Sequence, residues 1–222
     1  MAPAPDATEV ELLETGPGSG APRLVLAHGA GAAMDSPFMD KIAALLAERG
    51  IAVTRFEFGY MAARRSGGKR KPPPKAELLQ GEYEAVVRRV RSSMAQADKL
   101  FIGGKSMGGR VASLIAERMH GEGLASGLVC LGYPFHPPAK PEQLRTAHLQ
   151  ALECPTLIVQ GDRDPFGTRV EVEGMALSPR ITFTWAPDGD HDLGPRGASG
   201  FTRKGNLALA ADAVAQFVRM AE

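Results

Sequence analysis

Two hydrophobic rhythms alternate along the chain. Short, nearly continuous apolar runs appear at "RLVLAH" (23–28), "IAVTRFEF" (51–58), "KLFIGG" (99–104), "GLVCLGY" (127–133), "PTLIVQG" (155–161) and "ITFTWA" (181–186). Runs of this length without polar alternation are expected of parallel strands covered on both faces. One further strand, "EVELLET" (9–15), precedes the turn-rich "GPGSGAP", so 9–15 and 23–28 are expected to form an antiparallel pair.

Between the strands, apolar residues recur at helical spacing. Residues 36–49 open on Ser36-Pro37, a cap followed by proline at the first helical position, and stop at Gly50. In 77–97, Leu79, Tyr83, Val86, Val87, Val90, Met94 and Ala97 share one side, and a helix over Met107–His120 follows the strand at 99–104 directly. The last helix, about 204–221, aligns Leu207, Ala210, Ala211, Val214, Phe217 and Val218. Strand–helix alternation without an internal repeat or linker predicts one domain over 1–222: a single doubly wound, mostly parallel α/β sheet flanked by helices, with residues 1–8 a flexible N-terminus.

One segment breaks the rhythm. "YMAARRSGGKRKPPPKAE" (60–77) holds six basic residues, a triple proline and no acid before Glu77. It is expected to be a surface loop, and residues 64–75 could serve as a flap at the active site or as a docking patch for a protein partner.

Composition narrows the classes. With 26 basic and 25 acidic residues there is no global field to favour nucleic acid or an anionic membrane. No apolar run approaches the roughly 18–20 residues that span a bilayer. The N-terminus lacks the basic and apolar regions of a secretory signal, and a cytoplasmic protein is expected. Cys130 and Cys154 lie in or beside apolar strands and are expected to be buried free thiols, without the Cys/His company a zinc site needs. No metal or organic cofactor is implied, and the chain is expected to be a monomer or homodimer.

The stretch "KLFIGGKSMGGR" (99–110) admits two chemistries. A phosphate-binding loop needs glycine five residues before Gly104, where this chain has Lys99, and "KLFIG" is itself the strand, so that reading fails on spacing. G-x-S-x-G fits in place: the strand ends at Gly103–Gly104, Ser106 sits at the apex, and a helix begins at Met107. Such a turn forces the serine into an unfavourable backbone conformation, and side chains at Gly104 or Gly108 would collide with strand or helix. Gly109 and Ala112 would then let the helix approach the sheet.

A nucleophilic serine needs a base, and the base an orienting carboxylate. The expected chain order on such a sheet is Ser, then Asp or Glu, then His, each beyond a strand. "LIVQGDRDPFG" supplies Asp162 and Asp164, and "TWAPDGDHDLG" supplies His191 before the final helix. His120 suits a helix C-terminus, and His136 and His148 are expected at surface or wall positions. Oxyanion donors are expected at the N–H of Met107 and, from the small-residue loop "HGAGAA" (28–33), that of Ala30. The same "GAG" does not complete a dinucleotide fingerprint, because its last position is Met34 and only Glu57 offers an acid on the next strand.

Taken together, "HGAGA", "GGKSMGGR", "LIVQGDRDPFG" and "DGDHDLGPR" resemble the α/β-hydrolase superfamily, from about residue 23 to the C-terminal helix. "RFEFGYM" and "LGYPFHPP" are most similar to its small lidless branch, near dienelactone hydrolases and the testis-expressed hydrolase-like proteins. The resemblance implies a minimal fold without a large cap, Ser106 as nucleophile and His191 as base. It favours Asp164 as the acid over Asp162, since the family places that acid third after the strand-ending glycine, here Gly161. Dienelactone hydrolases proper use cysteine, so the serine departs from lactone chemistry specifically.

The expected function is cleavage of a small-molecule acyl substrate, an ester or thioester, through an acyl-enzyme. A catalytically idle scaffold that binds a partner protein and an acyltransferase are the alternatives. Only 59–76 and 133–150 are long enough to wall a pocket, so an open, shallow site lined by Tyr60, Met61, Tyr133, Phe135 and Phe166 is expected.

Overall fold

The computed structural model describes residues 10–65, 67 and 72–221. Its seven strands are β1 (Leu12–Thr15), β2 (Arg23–Ala27), β3 (Ala52–Phe56), β4 (Leu100–Lys105), β5 (Gly127–Leu131), β6 (Thr156–Gly161) and β7 (Ile181–Ala186). They form one sheet in the order β1-β3-β2-β4-β5-β6-β7. All pairings are parallel except that of β1 with β3.

The helices are α1 (Pro37–Ala47), α2 (Gly59–Arg65), α3 (Gln80–Ser92), α4 (Met107–Gly121), α5 (Arg169–Glu173) and α6 (Arg203–Met220). Alternation of side chains along the strands splits the core into two. Val25, Ile102, Leu128 and Ile158 pack with residues of α3 and α4, whereas Leu24, Phe101, Val129 and Val159 pack with α1 and α6. This is the doubly wound α/β arrangement expected, with no large cap.

Three local expectations are corrected. The first strand does not pair with the second: β1 lies antiparallel to β3, Leu12 opposite Phe56. Both edges of β2 are occupied, by β3 and β4, so a hairpin would have displaced a central parallel pairing. The helix expected over 77–97 is a 3₁₀ turn, Ala76–Leu78, followed by α3. It stops early where Ser92 and Ser93 turn their hydroxyls onto the carbonyls of Arg89 and Val90, both at 2.8 Å, competing with the helical ladder. The basic stretch begins with the short α2, held by Arg65, which donates two bonds to the buried carboxylate of Glu57 at 2.8 and 2.9 Å. Of the flap or docking segment 64–75, residues 66 and 68–71 lie outside the described residues, as does the N-terminal stretch 1–8.

Register places the site. Ala27 is opposite Gly104, and Gly161 opposite Ala186. The loop after β2 therefore adjoins the turn after β4, and the loop after β6 adjoins the one after β7, all at the carboxyl edge of the sheet.

A candidate active site at the carboxyl edge of the sheet

Ser106 occupies the turn between β4 and α4 with φ 51° and ψ −115°, a conformation that L-residues avoid. The glycines around it are sterically required. A Cβ on Gly104 would sit 2.4 Å from Gly108 C, and one on Gly108 2.5 Å from Ala27 O. The turn can be this sharp only because both are bare.

Its hydroxyl lies 2.8 Å from Nε2 of His191, whose Nδ1 lies 2.8 Å from Oδ2 of Asp164. Asp164 is fully buried. Its Oδ1 accepts the N–H of Phe166 at 2.8 Å, and its Oδ2 also accepts from Nε2 of Gln160 at 2.9 Å. Gln160 is fixed in that sense because its oxygen accepts the N–H of Tyr133 at 2.7 Å. With both oxygens of Asp164 already accepting from Gln160 and Phe166, Oδ2 is the acceptor toward His191, so Nδ1 carries the proton and the Nε2 lone pair faces Ser106. The Phe166 ring covers the imidazole with centroids 4.3 Å apart.

The other acids of these loops are spent elsewhere. Asp162 accepts the N–H of Asp188 at 2.9 Å. Asp190 accepts from the N–H groups of Asp192 and Gly194 at 2.9 and 2.8 Å, shaping the histidine turn.

On the opposite flank, the loop after β2 is braced from behind. His28 is fully buried, with Nδ1 2.6 Å from Gly29 O and Nε2 accepting the N–H of Phe58 at 3.2 Å. Burial lowers its pKa, partly offset by the Gly29 carbonyl, consistent with a neutral ring protonated on Nδ1. Tyr60 donates its hydroxyl to Ala30 O at 3.0 Å. Glu57 accepts the N–H of Met34 at 3.2 Å, so this acid is committed to the fold.

A cleft of ≈450 Å³ opens beside Ser106 and His191, walled by Ala30, Phe38, Met39, Lys105, Phe166 and Arg203. Of the expected lining residues only Phe166 faces it. Tyr133 and Phe135 are fully buried and pack edge-on in the α3/α4 core, 4.9 Å between centroids. Met61 is buried, and Tyr60 serves the Ala30 carbonyl. The cleft lies on the α1/α6 side, so the first turns of those helices wall it instead of 133–150 and the described residues of 59–76.

Sequence reasoning passed over Gln160, Phe38 and Lys105. For Lys105 a signal existed: a charge at the last strand position before Ser106 that alternation turns into the α1/α6 face. Burial pushes its ammonium pKa down, opposed first by Asp192 and then by Asp164.

The remaining histidines and cysteines lie outside this cluster. His120 Nδ1 lies 3.0 Å from Ala125 O at the end of α4. Of the surface or wall position expected for His136 neither is found: it is buried and does not line the cleft. His148 is half-buried against Ser113 at 2.8 Å, and burial followed by Arg110 holds its pKa down at about 4. Cys130 and Cys154 are free and buried, and burial pushes the Cys154 thiol up to about 12. Among the described residues no group of three or more His, Cys, Asp or Glu could hold a metal ion, and no helix is long and apolar enough to cross a membrane.

Comparison with known proteins gives one family match, the alpha/beta hydrolase domain, over residues 20–219. Solved structures share the fold at low identity. A serine hydrolase without lid from Xanthomonas campestris superposes with TM-score 0.65 at 20% identity, over 95% of this chain and 88% of that one. Dienelactone hydrolase from Anabaena variabilis gives 0.67 at 20%, covering 98% and 95%. Est1E from Butyrivibrio proteoclasticus, with ferulic acid bound, gives 0.68 at 15%, covering 97% of each. A match over nearly the whole sheet, with no cap inserted, shows that the chain belongs to the alpha/beta hydrolase family as one of its small lidless members.

Proposed function

We propose that this chain is a serine hydrolase that cleaves small esters, thioesters or related acyl compounds through an acyl-enzyme intermediate. The observation that carries the reading is the unbroken chain of hydrogen bonds from Ser106 through His191 to buried Asp164, 2.8 Å at each link. Likeness to Est1E, with ferulic acid bound, and to dienelactone hydrolase adds support for a small acyl substrate.

In the first half-reaction, Ser106 Oγ attacks the substrate carbonyl while Nε2 of His191 takes its proton. Asp164 stabilises the resulting imidazolium. The negative charge on the carbonyl oxygen is met by the N–H of Met107, at the free first turn of α4, where the helix dipole adds to it.

Ala30 N–H is the second donor. In a trans peptide the C=O and the next N–H point in opposite directions. His28 holds Gly29 O on one side at 2.6 Å, so Ala30 N–H is turned to the other, and it takes no partner among the described residues. Collapse of the tetrahedral intermediate expels the leaving group with the proton from His191. A water, deprotonated by the same Nε2, then releases the acid and restores Ser106.

The cleft would seat only a small acyl group against Phe38, Met39 and Phe166. The test is fluorophosphonate labelling with a panel of short to long acyl p-nitrophenyl esters, comparing wild type with Ser106→Ala. Labelling and turnover that vanish together in the mutant are expected. Labelling that persists would remove Ser106 from its role, and labelling without turnover on any ester would favour the scaffold or the acyltransferase.

A further inference from the structure

Lys105 immediately precedes Ser106, is only 6% exposed, and places its amino head group beside the cleft. Burying such a polar head group is unfavourable unless its surroundings satisfy it. Here they do so through one loop. Nζ donates to the backbone carbonyl of His191 at 2.8 Å and pairs with the carboxylate of Asp192 at 3.2 Å. Its remaining side faces the ring of Phe38, 5.4 Å to the centroid.

The two bonded groups belong to the base itself and to the next residue. Asp164 and Phe166 hold the His191 ring, but the backbone at this point takes little other support. Asp190 closes the turn from within through the N–H groups of Asp192 and Gly194, and Asn206 anchors its far end by donating to Leu193 O at 2.8 Å. Among the described residues, the only hydrogen bond to the His191 carbonyl is the one from Lys105. Gly132 permits the crossing, since a Cβ there would come 3.1 Å from Nζ and 2.8 Å from His191 O.

We infer that Lys105 is a positioning residue that ties the serine turn to the histidine loop, setting the Ser106–His191 distance through the His191 backbone. One strand end thereby carries both the nucleophile and the brace for its base. An aliphatic replacement would free the His191 peptide to drift while leaving Asp164 and Ser106 in place. This inference rests on the hydrolase reading above.

A misplacement of about 1 Å between reacting groups costs on the order of 10²-fold. Lys105→Met, close in shape and uncharged, is therefore expected to slow acylation by about 10–100-fold with KM little changed. The decisive measurement is a double-mutant cycle on the single-turnover acylation rate with p-nitrophenyl acetate, using wild type, Lys105→Met, His191→Ala and the double variant.

If Lys105 acts through His191, its effect vanishes in the His191→Ala background, and the double variant matches His191→Ala within about twofold. A purely structural lysine would instead slow both backgrounds by the same factor, and that result overturns the inference, as does a Lys105→Met rate within about twofold of wild type. If His191→Ala itself acylates like wild type, the hydrolase reading fails and takes this inference with it. Should Lys105→Met not fold, Asp192→Asn decides, because Asp192 is half exposed on the loop. A loss of about threefold or more that disappears in the His191→Ala background supports the tie. An unchanged rate, or a loss that persists in that background, refutes it.

Discussion

Replacing Asp164 with asparagine tests the candidate triad at its most buried point. The amide can take two settings, and the neighbours penalise both. With its oxygen toward His191 Nδ1 and Gln160 Nε2, the new NH₂ faces the N–H of Phe166, donor against donor, where the carboxylate accepted at 2.8 Å. With the oxygen toward Phe166, the NH₂ meets the NH₂ of Gln160, which the Tyr133 N–H holds in place. In that second setting it also forces the proton of His191 onto Nε2, so the ring donates to Ser106 and cannot act as base.

Either setting leaves a buried donor unmatched, at about 1–3 kcal/mol of stability. Even the productive setting removes the charge opposite the imidazolium. Taking one partner from a buried pair costs about 3–5 kcal/mol, and at 1.36 kcal/mol per decade that is roughly 10²–10⁴ in rate. Urea denaturation gives the first quantity and turnover of p-nitrophenyl acetate the second. Asp162→Asn is the control: its oxygen can still accept the Asp188 N–H, and its kcat should stay within about threefold of wild type. A kcat for Asp164→Asn within tenfold of wild type, or a collapse in Asp162→Asn instead, would refute the assignment.

Two further outcomes follow from the core. The hydroxyl of Tyr83 lies 2.6 Å from Gly103 O and 2.8 Å from Val25 O and accepts the N–H of Gly103 at 2.9 Å. Tyr83→Phe should therefore lose about 1–3 kcal/mol in urea denaturation, with ester turnover by the folded protein retained. His148 titrates lower in the fold than in the unfolded chain, at about 4 against an ordinary 6.5. Its contribution to stability is thus complete above pH 6.5 and is lost as the pH falls toward 4. His148→Gln should show a shallower loss of stability than wild type over that window in pH-dependent thermal melts.

The pattern of apolar runs places the strands and most helices because both faces of a parallel sheet must be covered, a demand that each strand's composition records locally. Partner choice is recorded less well. Nothing in "EVELLET" distinguishes pairing with β2 from pairing with β3; what decides is that β2 is claimed on both sides by parallel neighbours. Ser106 and His191 stand out as candidates because each lies just beyond a strand in a loop of restricted composition, whereas Asp164 is separated from Asp162 only by the family resemblance. The cleft wall is not, because aromatic residues near the site, such as Tyr133 and Phe135, look alike in sequence whether they face a ligand or the core. Gln160 was hidden for the same reason: inside a strand, a polar side chain signals burial with a partner without naming the partner.

Because part of the cleft wall comes from the opening turns of α1 and α6, what enters it can be altered without disturbing the fully buried α3/α4 layer. Randomising positions 38 and 203 would vary what the cleft admits with the α3/α4 layer untouched. The same diversity spent on the aromatics of 133–135 would be consumed by misfolding. Directed evolution of this scaffold should therefore start from two helix beginnings.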